Sequence, residues 1–199
     1  INGLKMTTTS ATNEGLFGYV LNSTVKDFTV NGEITVAVSQ SQSVGNLGVI
    51  GYAGEGTNIQ KITSSIEVTV DETVENGAYQ YVGGIVGNFA GGLLEQCIWD
   101  GSIETGSWTI NRFAGIAGRM GASASITNCA SYGTLKSSKT KNLQGIAGWA
   151  SNPQGIRNSL FAGTMTYEGT ENANFYAIAS VGNYCTADKL TSLYYVNTT

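Results

Sequence analysis

The sequence lacks histidine altogether, and its 199 residues include only one proline and three cysteines. Without histidine there can be no Ser-His-Asp or Cys-His catalytic set and no histidine metal ligand. Three cysteines without a CxxC pair form neither a disulfide framework nor a zinc site. The composition therefore argues against these catalytic and metal-binding arrangements, and we expect no metal and no cofactor.

Charge and long apolar runs are also scarce. Charged residues make up 12% of the chain, and the net charge is −4, which does not favour a polyanionic partner such as nucleic acid. No run approaches the roughly 18–20 apolar residues that span a membrane, so we expect no direct membrane insertion. Ser, Thr and Asn provide the polar surface, which is typical of secreted or cell-surface β-rich proteins. The chain begins at Ile1 rather than methionine, and we expect flanking domains of a larger protein.

Glycine, in contrast, is abundant, with 27 residues, and much of it lies in a short segment that recurs. Each copy consists of glycine, two apolar residues and a second, closing glycine. The five copies are residues 15–18, 48–51, 84–87, 115–118 and 145–148, and a degenerate sixth is 177–180. The closing glycines are 30 to 36 residues apart. A period near 32 residues is the signature of a stacked repeat protein.

Apolar residues recur at fixed offsets after each copy. One such column is Val25, Ile59, Leu94, Ile126 and Ile156, and a second is Phe28, Ile62, Cys97, Cys129 and Ser159. A third column consists of Trp99, Ser131 and Phe161, each two residues after a member of the cysteine column. Residues two apart on a strand lie on the same face, so this column is predicted to be core. Residues 25–30, 34–38 and 66–70 alternate with the period of a strand. No segment shows a sustained helical period.

These patterns predict an all-β fold, a right-handed parallel β-solenoid of five coils plus a partial coil. An antiparallel β-prism or β-sandwich built from the same repeat is the alternative. We expect one repeat domain, 1–199, in which 1–14 ends a preceding coil. The coils are 15–46, 47–81, 82–113, 114–144 and 145–176, and 177–199 is the partial last coil. Each coil is expected to have three strands, the first being the glycine segment itself, with a left-handed or tight turn at the glycine 15 residues after the closing glycine.

Two columns pair side chains across coils. Cys97 and Cys129 hold the same position in successive coils, so they should lie about 4.8 Å apart on neighbouring strands. They are either two buried free thiols or a disulfide. A second column carries amides that could form a hydrogen-bonded ladder at a turn. Its members are Asp27, Gln96, Asn128 and Asn158.

The repeat resembles the GLUG motif of bacterial surface proteins. The residues that carry the resemblance are 83–87 (Gly-Gly-Ile-Val-Gly), Asn128-Cys129 with Gly133, and Asn158-Ser159 with Gly163. It covers about residues 15–176, and residues 47–81 depart from it. The resemblance implies a β-solenoid segment of a secreted or wall-attached protein, such as an adhesin or the stalk of an IgA-cleaving protease. It does not imply a particular ligand.

Aromatic side chains outside the core columns are the candidate binding residues, because exposed rings stack on sugars. They are Trp108, Trp149, Tyr132 and Tyr167. Catalysis would need a pair of acids in a groove, and no column of acids with an arginine beside it is evident. Ice binding is a third hypothesis, which would need regular threonine columns, and Thr35, Thr69 and Thr109 only suggest one.

The sequence thus predicts a non-catalytic segment of a bacterial secreted or cell-surface protein. It would act in adhesion or as a spacer, with host or bacterial glycans or surface proteins as partners. The alternative is a carbohydrate-active module that binds or cleaves polysaccharide.

Overall fold

The protein is a parallel β-solenoid of about five turns, as predicted. The structure is a computed structural model that describes residues 1–8, 12–37, 45–70, 79–105, 112–151, 153–181 and 186–196. Within these ranges the only helix is one 3-10 turn, Ala187–Lys189. Every strand pairing among the described residues is parallel, which excludes the antiparallel alternatives.

The strands range from two residues, as in β2, to fourteen residues, as in β7. In order they are β1 Leu4–Thr8, β2 Asn13–Glu14, β3 Phe17–Val20, β4 Thr24–Val36, β5 Gly45–Leu47, β6 Ile50–Ala53, β7 Thr57–Val70, β8 Tyr79–Gly83, β9 Val86–Glu95, β10 Ile98–Trp99, β11 Ser102–Glu104, β12 Arg112–Ala114, β13 Ala117–Thr127, β14 Ala130–Ser131, β15 Thr134–Ser137, β16 Asn142–Gln144, β17 Ala147–Ala150, β18 Gly155–Phe161, β19 Thr164–Tyr167, β20 Asn174–Tyr176, β21 Ala179–Val181 and β22 Leu190–Tyr195.

The strands form two sheets. The small sheet has six strands in the order β2-β5-β8-β12-β16-β20, one from each coil. The large sheet has sixteen strands and contains all the others. Each coil is counted in the structure from its small-sheet strand, so the fourth coil begins at Arg112 rather than at residue 114. In this coil the chain passes from β12 in the small sheet to β13, β14 and β15 in the large sheet. Each coil therefore wraps the core with one small-sheet strand and a longer run in the large sheet.

This path corrects the expectation of three strands per coil that begin with the glycine segment. The first two residues of each glycine segment form a bend, and the second half starts the next strand. The bend joins a small-sheet strand to the large sheet. The small-sheet strands were missed because they contribute as few as two or three residues each, too few to show an alternation.

The aligned columns of the sequence are paired columns in the structure. Val25 pairs with Ile59, Ile59 with Leu94, and Leu94 with Ile126. Trp99 pairs with Ser131, and Ser131 with Phe161, and these three side chains are buried as predicted. Stacking of like residues on successive coils makes one continuous core.

The left-handed turn lies at a different position from the one predicted. One residue at the same position of each coil has a φ between 48° and 60°. These residues are Asp27, Lys61, Gln96, Asn128, Asn158 and Ser192. They form the column in which we expected an amide ladder, but their side chains are exposed, and no side-chain hydrogen bond joins its described members. Short polar side chains tolerate this conformation better than others. The column therefore turns the chain.

The glycines predicted to make that turn have a different role. A β-carbon at Gly101 would overlap the carbonyl oxygen of Ile66 in the preceding coil, and one at Gly133 would overlap that of Gly101. The first glycine of the repeated segment makes room for the core in the same way. Gly84 and Gly115 lie directly against the Trp99 ring. These positions need glycine for close approach of the chain.

Candidate functional site

The residue directly after each closing glycine points outward from the large sheet. These residues form a column of two tyrosines, an asparagine, an arginine and a tryptophan. The column is Tyr19, Tyr52, Asn88, Arg119 and Trp149. Tyr19 pairs with Tyr52, Tyr52 with Asn88, and Asn88 with Arg119, and Trp149 follows on the next strand, between the pairs of Ala147 and Ala150 with β13.

A second outward column runs along the small sheet, beside the inward residues Leu47, Val82, Phe113 and Leu143. It consists of Asn13, Asn46, Tyr81, Arg112, Asn142 and Asn174. It contains four asparagines, one tyrosine and one arginine. Both columns thus combine rings, guanidinium groups and amides.

The two columns meet over the closing glycines. A β-carbon at Gly118 would lie 2.6 Å from the backbone nitrogen of Val82, and one at Gly148 would lie 3.0 Å from the β-carbon of Arg112. The large sheet therefore approaches the small sheet so closely at this corner that only glycine fits. The side chains of the two columns lie on either side of the glycines, and we call the eleven residues of both columns the corner stripe.

Aromatic and guanidinium contacts hold the corner stripe together. The rings of Tyr19 and Tyr52 are stacked, with centroids 4.9 Å apart and an interplanar angle of 3°. The Arg119 guanidinium lies 5.7 Å from the centre of the Tyr81 ring, and its Nη1 donates a hydrogen bond of 3.1 Å to Asn88 Oδ1. Such cation–π contacts hold a guanidinium flat against a ring.

A second cation–π contact crosses the corner one coil further on. The Arg112 guanidinium lies 5.1 Å from the centre of the Trp149 ring. Trp149 is half-buried as a result, rather than fully exposed. Both arginines of the corner stripe therefore join the small-sheet column to the large-sheet column.

Amide side chains line the rest of the small-sheet column. Asn46 Nδ2 donates to Asn13 Oδ1 at 2.5 Å, and Asn174 Nδ2 donates to Asn142 Oδ1 at 3.0 Å. Asn46 is only 7% exposed, and its Oδ1 has no hydrogen-bond partner among the described residues. A buried acceptor left without a donor is costly.

The four residues predicted from the sequence do not form one site. Trp149 lies in the corner stripe. Tyr132 is 48% exposed and directly follows β14, and Tyr167 ends β19 and packs partly against the core. Trp108 lies outside the described residues.

The other residues of the corner stripe were missed. The signal was present in the sequence as the position after each closing glycine, which reads Tyr, Tyr, Asn, Arg and Trp in the five copies.

The cysteine pair lies in the core. Cys97 and Cys129 are buried and free, and each thiol donates to the carbonyl two residues earlier, at 3.3 Å and 3.2 Å. Burial, reinforced by the neighbouring Cys97 sulfur, raises the pKa of the Cys129 thiol well above its usual value, whereas a hydrogen bond with Cys129 lowers the pKa of Cys97. The pair therefore behaves as two small buried side chains.

The face formed by β1, β4, β7, β11, β15 and β19 carries the threonines. Thr7, Thr35 and Thr69 are in register, but Glu104 and Lys136 continue their column. Lys136 forms ion pairs of 2.8 Å and 3.3 Å with Glu104 and Glu168. A charged interruption of this kind does not favour an ice-binding face.

One pair of acids lies side by side on the same face. Glu33 and Glu67 are register partners on β4 and β7, and they line a pocket of about 280 Å³ together with Lys5, Asn31 and Ser65. The hydroxyl groups of Thr35 and Thr69 donate to Glu33 Oε1. Among the described residues, no three His, Cys, Asp or Glu side chains are arranged to hold a metal ion.

In the part of the chain that the structure describes, no helix has the length and apolar character needed to cross a membrane. Comparison with family models, with curated protein sequences and with solved structures found no match to this chain.

Proposed function

We propose that the chain is a non-catalytic segment of a bacterial secreted or cell-surface protein that recognises glycans through the corner stripe. The motif resemblance and the polar, weakly charged composition support the cell-surface setting. The chemistry of the corner stripe supports the glycan. Planar rings stack on the apolar faces of sugars, and amides and guanidinium groups hydrogen-bond their hydroxyls.

The observation that carries this proposal is the spatial order of the corner stripe. Each of the first five coils contributes one side chain to each column. Neighbouring coils are about 4.8 Å apart, so the corner stripe is a regular ladder of binding groups along the solenoid axis. Amides, rings and guanidinium groups in such an array match the repeating hydroxyl groups of a sugar chain.

The corner stripe favours binding over cleavage. Glycoside hydrolysis normally needs two carboxyl groups on either side of the scissile bond. Neither column of the corner stripe contains an aspartate or a glutamate. A sugar bound there would be held without an acid or a nucleophile.

A glycan-array screen of the intact domain tests the proposal. We expect saturable binding that falls about tenfold, equivalent to about 1.4 kcal/mol, when either Tyr52 or Trp149 is replaced by alanine. Tyr132→Ala and Tyr194→Ala are matched controls, because these rings are exposed but lie outside the corner stripe. Equal loss in the controls would refute the assignment of the site. If the folded protein bound no glycan on the array, the result would favour the spacer role.

The Glu33 and Glu67 pair favours a second candidate function, polysaccharide cleavage. Retaining glycosidases hold their two carboxyl groups about 5–5.5 Å apart, and register partners on neighbouring strands are about 4.8 Å apart at the backbone. Release of reducing ends from polysaccharides, abolished by Glu67→Gln, would support cleavage. No release by the unaltered protein from any substrate that it binds would exclude it.

A further inference from the structure

Both arginines of the corner stripe belong to the fourth coil. Arg112 lies on β12 in the small sheet, and Arg119 lies on β13 in the large sheet. They lean in opposite directions along the axis. Arg119 contacts Tyr81 and Asn88 of the third coil, whereas Arg112 lies over Trp149 of the fifth coil. One level of the corner stripe is therefore strongly basic, and the levels on either side of it present rings.

This basic level is unusual in a chain with ten cationic and fourteen acidic residues. Neither column of the corner stripe contains a carboxylate, and the Arg119 contacts described above are with neutral groups. A guanidinium has five N–H donors and matches a carboxylate with two parallel hydrogen bonds. Both arginines are half-buried, which strengthens their attraction for an anion relative to a fully hydrated side chain.

The spacing of the ladder sets the orientation of the ligand. Neighbouring coils are about 4.8 Å apart, close to the length that one pyranose unit adds to a linear polysaccharide. A chain laid along the solenoid axis would therefore meet one coil per sugar. The sugar at the fourth coil would face the two arginines. Its neighbours would reach Tyr81 on one side and Trp149 on the other.

Resting on the function proposed above, we propose that the corner stripe binds a linear acidic polysaccharide parallel to the solenoid axis, with the carboxylate of one uronic acid unit held by Arg112 and Arg119. The rings of Tyr52 and Trp149 give affinity for the sugar faces, and the arginines select the acidic unit. Selectivity and affinity thus reside in different side chains.

The experiment is isothermal titration calorimetry with hexasaccharides of galacturonic acid, with the same hexasaccharides after reduction of their carboxyl groups, and with a sulfated neutral hexasaccharide. We expect the acidic hexasaccharide to bind at least tenfold more tightly than either of the others. Its affinity should fall at least tenfold in Arg119→Gln and in Arg112→Gln. Arg157→Gln is the control, because Arg157 lies outside the corner stripe on β18.

Ligand length tests the orientation in the same instrument. The affinity should rise from the disaccharide to the hexasaccharide, because a longer chain reaches more coils. An affinity independent of length would overturn the axial arrangement.

The failure of this inference differs from the failure of the proposed function. Equal affinity for the acidic and the reduced hexasaccharide would overturn the inference and leave glycan recognition standing. Equal affinity for the sulfated ligand would overturn carboxylate selection in favour of general attraction of anions. No binding of any hexasaccharide would overturn the inference, and the alanine variants on the glycan array would then decide the function. The comparison of ligands needs no variant, so a misfolded arginine variant would not obscure the result.

Discussion

Trp99 is predicted to be the side chain on which the stability of the middle coils depends most. It is the largest fully buried side chain in the part of the chain that the structure describes, with 0% exposure, and it fills the space beside the first glycines of two successive repeats, Gly84 and Gly115. A tryptophan buries about 150–250 Å², which at about 25 cal/mol per Å² corresponds to about 4–6 kcal/mol. Its Nε1 has no hydrogen-bond partner among the residues that the structure describes, and this unmade hydrogen bond offsets about 1–3 kcal/mol of that stabilisation.

Replacement of Trp99 by alanine should therefore cost about 3 kcal/mol in the free energy of unfolding. Trp99→Phe should cost less than about 1.5 kcal/mol, because it keeps most of the volume and removes the unpartnered N–H. The assay is equilibrium unfolding in urea, followed by far-ultraviolet circular dichroism, with the midpoint and slope compared between variants. Ile98→Ala is the control, because this neighbouring side chain is 38% exposed. If Trp99→Ala cost no more than Ile98→Ala, the packing of the core against the glycines would be refuted.

Three further predictions concern the thiols, a closing glycine and an ion pair. In a variant with Cys185 replaced by serine, Cys97 and Cys129 should resist a bulky thiol reagent at pH 8, because both are buried in the folded protein. Both should react fully in urea. Rapid labelling of the folded protein would contradict this prediction. Gly118→Ala should lower stability by about 1–3 kcal/mol, because the three atoms nearest to its β-carbon would be backbone atoms within 2.8 Å. An unchanged urea midpoint would count against the close approach. Glu104 and Glu168 raise the pKa of Lys136. The small stabilisation that Lys136 gives relative to Lys136→Gln should therefore be present below about pH 10.4, the unfolded pKa, and vanish as the pH rises through the folded pKa. A difference in melting temperature that persists at higher pH would exclude the ion pairs as its source.

The stacking of the coils could be predicted from the sequence because it depends on composition at fixed offsets. Val25 and Ile59 are neighbours in the structure because like residues at the same offset stack on successive coils. The parity argument also placed Trp99 in the core correctly. These features rest on many weak signals that repeat in register, so local irregularities do not disturb them.

The local geometry of the coil was harder to predict. Asn128 has φ 55° and Gly133 does not turn left-handed, which is the reverse of what glycine's conformational freedom suggests. The sequence does not show whether a glycine is needed for its backbone or for the absence of a side chain. That distinction depends on how close the neighbouring coil lies, as the overlap of Gly133 with Gly101 shows.

The corner stripe was only partly predictable. Trp149 was identified as an aromatic outside the core columns, but its partner Arg112 lies 37 residues earlier on a strand of three residues. No periodic signal predicts so short a strand. Contacts that cross the corner, such as that of Arg119 with Tyr81, depend on the sharp bend between the two sheets and become visible only once the chain is folded.

The central claim is that ligands bind along the corner stripe, and NMR titration of the isotopically labelled protein tests it most directly. The closing glycines lie between the two columns of the corner stripe, and glycine amides occupy a distinct region of the spectrum. A bound acidic hexasaccharide should shift the signals of Gly87, Gly118 and Gly148 and the side-chain amide of Asn46. Shifts confined instead to Gly32 and Glu67 at the acidic pocket, or to Tyr132, would contradict the account.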